Sequence, residues 1–234
     1  MQPVNMKILA VDTAAKSCSV AIVDKESLLA EVNISRKETH SKHLMEMINT
    51  VVGLSGIALS DLDGFAVTRG PGSFTGLRIG ISTIKGLALA NRKPVIGVSS
   101  LDALARQNLF SPYLICPFLD ARRGEVYFSR YRVDRGILKK EIDEDVLPPV
   151  RAVCDINEPC MFVGDGALIY KKIIVDSMGD KAYFALPGQN IIRASTIACI
   201  SMDRFEKNDT DDIGGFVPFY IRKSYAELSR ESSN

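Results

Sequence analysis

The run Gly70-Pro71-Gly72-Ser73-Phe74-Thr75-Gly76-Leu77-Arg78-Ile79-Gly80 constrains this chain more than any other segment. Residues 64–68 before it read as a strand, and a helix follows over about 74–90. Gly70 and Gly72 supply the backbone freedom of a tight turn, and Pro71 stiffens its middle. Ser73 or Thr75 caps the helix. A helix start with free N–H groups suits an anion. Yet the phosphate-binding pattern G-x-x-x-x-G-K-[ST] fails here, because Leu77-Arg78 follow Gly76. The spacing is not G-x-G-x-x-G either. On shape alone the segment reads first as a structural turn.

The helix behind the turn says more. Leu77, Ile79, Ile81, Ile84, Leu87 and Leu89 cover most of its circumference, and Arg78, Ser82 and Lys85 leave one narrow polar stripe. A helix that is apolar nearly all round must be covered nearly all round. Gly76 and Gly80, four apart, form a small-residue patch where another backbone can approach. The preceding helix, over 41–54, points the same way. Leu44, Ile48, Val51 and Val52 line one face, and Met45 and Met47 widen the apolar arc. Both helices are therefore read as one contact surface for another protein. Its expected contacts are Leu44, Met45, Met47, Ile48, Gly76, Leu77, Gly80, Ile81, Ile84 and Lys85. The competing reading is that the two helices cover each other.

The wider pattern is α/β. Residues 7–11, 19–23 and 28–34 read as an antiparallel meander, followed by the 41–54 helix, the 64–68 strand and the 74–90 helix. A strand at 94–98 leads to a helix capped by Ser99 or Ser100 and running to about 109. The second half loosely repeats the first: strands at 113–119, 125–132, 137–142 and 161–163, then helices at about 167–178 and 194–205. Two such halves suggest a pair of RNase H-like lobes, 1–110 and a smaller 111–234, whose last helices pack back on the first lobe. The polar tail after Tyr225 is expected to fray.

Two turns occupy matching places. Asp12-Thr13 ends the first strand, where an actin-like fold often turns a carboxylate toward magnesium and phosphates. The residues after it are Ala14-Ala15-Lys16-Ser17, without the glycine that lets phosphate approach. Asp120 opens the equivalent turn of the second half, followed by alanine and two arginines. Gly164-Asp165-Gly166 either faces an adenine or simply turns the chain. Asp12, Thr13, Asp120, Gly164 and Gly166 together read as a worn nucleotide cleft.

Other chemistries find little support. Net charge is +1, so no global field attracts a phosphate backbone, and any RNA contact is local or belongs to a partner. The basic stretch over 122–140 reads as a solvated strand face. His40 and His43 are three apart without a third ligand, so no metal site is assigned. G-x-S-x-G is absent, and no catalytic residue is assigned. None of the five cysteines forms a C-x-x-C pair, and Cys18, Cys116, Cys160 and Cys199 sit in apolar surroundings that suit buried thiols. With no signal peptide and no apolar run near the ~20 residues of a membrane span, a cytoplasmic protein is expected.

From about Ile8 to Tyr225 the chain resembles the bacterial TsaB (YeaZ) family of the glycoprotease-like group. The resemblance is carried by residues 8–13, His40-Ser41, 61–63, 70–80, Gly97-Val98-Ser99-Ser100-Leu101, 120–127 and Pro218-Phe219-Tyr220-Ile221-Arg222. It implies an actin-like (ASKHA) fold of two lobes, each a mixed sheet flanked by helices. It implies a role in forming threonylcarbamoyladenosine on tRNAs that read codons starting with adenine. In that family the paralogue TsaD carries out the transfer, TsaB is its obligatory partner, and the ATPase TsaE is a third subunit. The TsaB–TsaD contact runs through the first two long helices, which correspond to 41–54 and 74–90 here. The catalytic paralogue's metal-binding H-x-x-x-H has no counterpart in this chain. The expectation is thus a non-catalytic subunit without a tightly bound cofactor. ATP or ADP is expected only at a joint surface, contact with tRNA is indirect, and a homodimer forms through the same helices when TsaD is absent. The competing readings are an independent actin-fold ATPase or phosphotransferase built on Asp12, Asp120 and 164–166, and, less favoured, a metallopeptidase.

Overall fold

The computed structural model describes residues 6–35 and 40–222. The tail after Tyr225 lies outside them, as do the side chains of His40 and Ser41. The first sheet contains β1 (Ile8–Asp12), β2 (Ser17–Val23), β3 (Leu28–Ser35), β4 (Gly64–Gly70) and β5 (Val95–Ser99) in the order β3-β2-β1-β4-β5. β1 and β2 pair antiparallel, as do β2 and β3, whereas β1–β4 and β4–β5 are parallel. The second sheet contains β6 (Leu114–Asp120), β7 (Val126–Asp134), β8 (Ile137–Leu147), β9 (Cys160–Val163) and β10 (Ala182–Phe184) in the order β10-β9-β6-β7-β8. Read from β8, this is the first sheet's order and pairing repeated five strands later. The expected meanders are both present.

Helices α1 (His40–Ser55) and α2 (Phe74–Asn91) cover the outer face of the first sheet. Helices α4 (Pro149–Val153), α5 (Asp165–Ile169) and α6 (Lys171–Met178) belong to the second half. Helices α3 (Ser100–Arg106) and α7 (Ala194–Glu206) sit between the sheets, α7 against the first and α3 reaching β6, β7 and β8 of the second. The layering explains why β1 is apolar at every position before its end. Ile8 and Ala10 face the central core with Leu104, Ile115 and Ile197, whereas Leu9 and Val11 face the outer core with Leu44, Ile48 and Ile84. A strand buried on both faces reads as a continuous apolar run. A third core, with Phe118, Phe162 and Ile174, lies between the second sheet and its outer helices.

Several boundaries differ from the sequence reading. The helix expected over 167–178 is two, because Tyr170 (φ −102°, ψ 17°) ends α5 and starts α6. Apolar residues flank the break on both sides, Leu168-Ile169 before it and Ile173-Ile174 after Lys171-Lys172, so periodicity does not reveal it. α4 begins at Pro149, and Pro148-Pro149 looks like a breaker although proline fits the first turn of a helix. β8 runs five residues beyond the expected 137–142, and β10 is a three-residue strand that no sequence pattern marks. Cys18, Cys116 and Cys160 are buried, but Cys199 is exposed on α7, contrary to expectation. The basic residues of 122–140 are largely ion-paired: Arg130 with Asp155, Arg132 with Glu141 and Glu158, and Lys139 with Asp134. Among the described residues, no helix is long and apolar enough to cross a membrane.

Candidate functional site

The turn from β1 to β2 is sealed by the start of α2. The Ser73 N–H donates to the Ala14 carbonyl at 2.7 Å, and the Thr13 hydroxyl donates to the Gly76 carbonyl at 2.8 Å. A Cβ on Gly72 would lie 2.4 Å from the Ala14 oxygen, one on Gly76 2.0 Å from the Thr13 oxygen, and one on Gly80 2.3 Å from Thr13 Oγ1. Three glycines four apart thus lay α2 directly on the turn. The backbone that approaches the Gly76–Gly80 patch is this chain's own, which corrects the assignment of that patch to a partner. Ser73 caps α2 by accepting from the Gly76 N–H. The helix start faces two carbonyl oxygens, a setting that repels an anion.

Asp12 lies beneath this seal, with no exposed surface. Its Oδ1 accepts from the Ala14 N–H at 3.0 Å and from the Thr68 hydroxyl at 2.8 Å, while Oδ2 has no partner. Burial pushes its pKa up to about 7, against the opposing pull of those two hydrogen bonds. The negative charge of Asp165, from the second half, adds to the rise.

The second half keeps a more open turn. The Asp120 N–H donates to Asp165 Oδ1 at 3.0 Å. Asp120 Oδ1 accepts from the Arg122 N–H at 3.0 Å and the Tyr170 hydroxyl at 3.4 Å, and Lys16 stands 3.9 Å from Oδ2. Lys16 and Asp120 thereby join the two turns. Asp165 is held above the usual carboxylate range by burial, which Lys16 opposes. Gly164 (φ +107°) and Gly166 pack closely against β6. Their missing side chains make room for β6, with the Phe118 oxygen 2.4 Å from a Cβ on Gly164 and Leu119 backbone carbon 2.9 Å from one on Gly166. The structure thus brings Asp12, Thr13 and Asp120 to one junction, with both glycines turned into the second lobe.

The outer helices also differ from expectation. Leu44, Met47, Ile48, Leu77, Ile81 and Ile84 are core residues of the first lobe, and Gly76 and Gly80 are buried in it. Lys85 donates to the Gly214 and Phe216 carbonyls at 3.4 and 3.2 Å, so it holds the chain's own C-terminal segment. Of the ten expected contacts only Met45 is exposed, at 46%. The extra cover that the apolar helix demands is largely intramolecular, with Leu89 left 60% exposed near the end of α2. Residues 211–222 cross the β5 edge and the α2 flank: Asp211 pairs with Val95, Phe216 is buried over Gly97, and the Phe219 N–H donates to the Arg69 carbonyl at 2.8 Å. What stays open on this face is a groove of about 460 Å³ between α1 and α2, lined by Leu44, Met45, Thr75, Arg78, Ile79, Ser82 and Thr83. Of these seven, sequence reasoning named only Leu44 and Met45 as contacts. Arg78 and Ser82 belong to the polar stripe of α2, the sequence signal that those positions face outward.

Comparisons with known proteins agree with this architecture. A family model described as TsaD: tRNA N6-adenosine threonylcarbamoyltransferase matches residues 27–229. The tRNA threonylcarbamoyladenosine biosynthesis protein TsaB of Bacillus subtilis (strain 168) is 32% identical over 225 residues, 95% of this chain and 96% of that protein. The chain belongs to the TsaB (YeaZ) family. The protein of the same name from Escherichia coli (strain K12) is 42% identical over 149 residues, 62% of this chain and 63% of that one. The solved structure of YeaZ from Pseudomonas aeruginosa superposes with a TM-score of 0.78 at 28% identity, covering 92% of this chain and 99% of that one. The ethanolamine utilization protein EutJ from Carboxydothermus hydrogenoformans (TM-score 0.54, 10% identity, 85% and 91% covered) shares the fold alone. The fold is the actin-like ATPase (ASKHA) type, with two mixed sheets flanked by helices.

Proposed function

We propose that this chain serves the formation of threonylcarbamoyladenosine on tRNA as a non-catalytic subunit, binding a TsaD homologue and working with a TsaE homologue in the cytoplasm. The observation that carries this reading is Asp12. In a nucleotide-hydrolysing actin-like cleft a carboxylate at the end of the first strand faces magnesium and phosphates. Here it is fully buried, hydrogen-bonded to Thr68 and Ala14, and its turn is pressed against α2. That is the chemistry of a packed core. The contact face is the open α1–α2 groove around Met45, Ile79 and Ser82, not the buried residues beneath it. The same face pairs two copies of the chain when the TsaD homologue is absent. A nucleotide binds only at the joint surface, and the chain meets tRNA through the complex.

Reconstitution tests the functional claim. Purified TsaD and TsaE homologues with tRNA, Mg-ATP and a pre-formed activated threonylcarbamoyl donor should form modified tRNA, releasing the donor's leaving group, only when this chain is added. The chain by itself should not turn over Mg-ATP. ATP turnover by the isolated chain that Asp12→Asn abolishes would establish the ATPase reading instead. Full activity of the other components without this chain would refute the subunit role.

A further inference from the structure

We propose that residues 211–222 form a relay in which Tyr220 and Arg222 act as positioning residues. They hold the 121–124 turn in its left-handed form, and through Arg78 that hold depends on what occupies the α1–α2 groove. The occupant's identity rests on the partner face proposed above, whereas the relay is a property of the chain alone.

Consider the far end first. Arg122, Arg123 and Gly124 have φ of 63°, 56° and 79°. Two successive arginines in left-handed backbone are disfavoured, and such residues persist where their surroundings over-determine them. Within the turn, the Ala121 N–H donates to the Glu125 carbonyl at 3.0 Å and the Glu125 N–H to the Arg122 carbonyl at 3.1 Å. Arg222 closes the base of this turn from outside. Its Nη1 donates to the Ala121 carbonyl at 3.2 Å, and its Nη2 pairs with the Glu125 carboxylate.

The near end lies on α2. The Tyr220 ring stacks on Phe74 with centroids 4.5 Å apart, and its hydroxyl accepts from Arg78 Nε at 2.9 Å. Arg78 also stands 5.8 Å from the ring centroid. The same Arg78 is exposed and lines the groove beside Thr75, Ile79 and Ser82. An occupant that takes the Arg78 guanidinium for its own hydrogen bonds withdraws it from Tyr220. Only Ile221 separates Tyr220 from Arg222, so loosening one loosens the other and frees the turn in the second lobe.

Amide hydrogen exchange on the intact chain tests this without any partner. Arg222→Ala should speed exchange in 121–126 roughly tenfold, the scale of one or two lost hydrogen bonds. Arg78→Ala should speed exchange in the same segment about threefold or more, although Arg78 lies on the first lobe. Tyr220→Phe keeps the stack on Phe74 but removes the acceptor, so it should reproduce Arg78→Ala, and the double variant should add nothing further. Exchange in β1 should stay at the wild-type rate, separating the relay from general destabilisation. Unchanged exchange in 121–126 for Arg78→Ala or Tyr220→Phe would overturn the relay and leave Arg222 a static tie. Failure of a TsaD homologue to bind would count against the partner face without touching these results.

Discussion

The β1–β2 turn and the β6–β7 turn hold the same place in two copies of one topology, yet their carboxylates live in opposite settings. Asp12 has no exposed surface and is covered by the eighteen-residue α2, pressed down by Gly72, Gly76 and Gly80. Asp120 has a neighbouring helix of five residues, keeps a partly exposed side chain, and is held by Tyr170, Lys16 and the Arg122 amide. Topology gave both positions the same opportunity. What packs on each turn decides whether the carboxylate becomes core or stays a polar wall. The first lobe turned its half of the cleft into packing, and its open groove lies on the outer helices.

The glycines break this contrast most sharply. Gly76→Ala places a Cβ 2.0 Å from a backbone oxygen that cannot rotate away, and should cost about 4 kcal/mol or more in urea unfolding. Its counterpart Gly166→Ala meets β6 backbone at 2.9 Å and should cost about 1–3 kcal/mol. Equal costs would mean the two turns are packed alike.

The pH dependence of Asp12 comes next. Its folded pKa, about 7, stands above the ordinary 3.8, so the folded chain holds this proton more tightly than the unfolded chain does. Stability from this group is therefore full below about pH 4, falls as pH rises toward 7 and levels off above it. A gap of about three pH units limits the loss to about 4 kcal/mol. Asp12→Asn should remove this slope, read as urea midpoints compared at pH 5 and pH 8. An unchanged slope would place the carboxylate in contact with water.

Lys85 separates the two accounts of α2. Lys85→Met should lower stability by about 1–2 kcal/mol through loss of its bonds to the Gly214 and Phe216 carbonyls. A residue kept only for partner contact would leave the melting temperature unmoved. The smallest effect belongs to Gly86→Ala, on the same helix as Gly80 but with open space at its Cβ. It should be neutral or stabilise by up to about 1 kcal/mol, whereas Gly80→Ala meets Thr13 Oγ1 and destabilises.

Much of this fold is legible in the sequence because β1, β2, β4 and β6 are short apolar runs and α2 and α3 carry serine caps. Of the two cap candidates at each start, Ser73 caps α2 rather than Thr75, and Ser99 caps α3 rather than Ser100. The four-residue glycine spacing on α2 was also legible as a close backbone approach. Its partner was not, since Thr13 and Ala14 lie some sixty residues earlier and show nothing in their sequence of meeting a helix. The cover on the α2 flank arrives from residues 211–222, a stretch with Gly214-Gly215 and Pro218 that reads as loop. The signal there was Phe216, Phe219 and Tyr220, three aromatics in a segment that no sheet or helix pattern accounts for. An apolar circumference says that a helix is covered. It does not say by which chain.

The most direct test measures binding of a TsaD homologue to the wild-type chain and to the Met45→Asp/Ile79→Asp double variant, with melting temperatures recorded for both. Met45 is exposed and Ile79 half-buried at the groove, so both charges enter at the open face. Expected are tight wild-type binding, loss of at least about tenfold in the variant, and a lowered melting temperature with folding retained, because Ile79 also packs on the outer core. Wild-type affinity in a folded variant would contradict this, and would move the partner face away from α1 and α2.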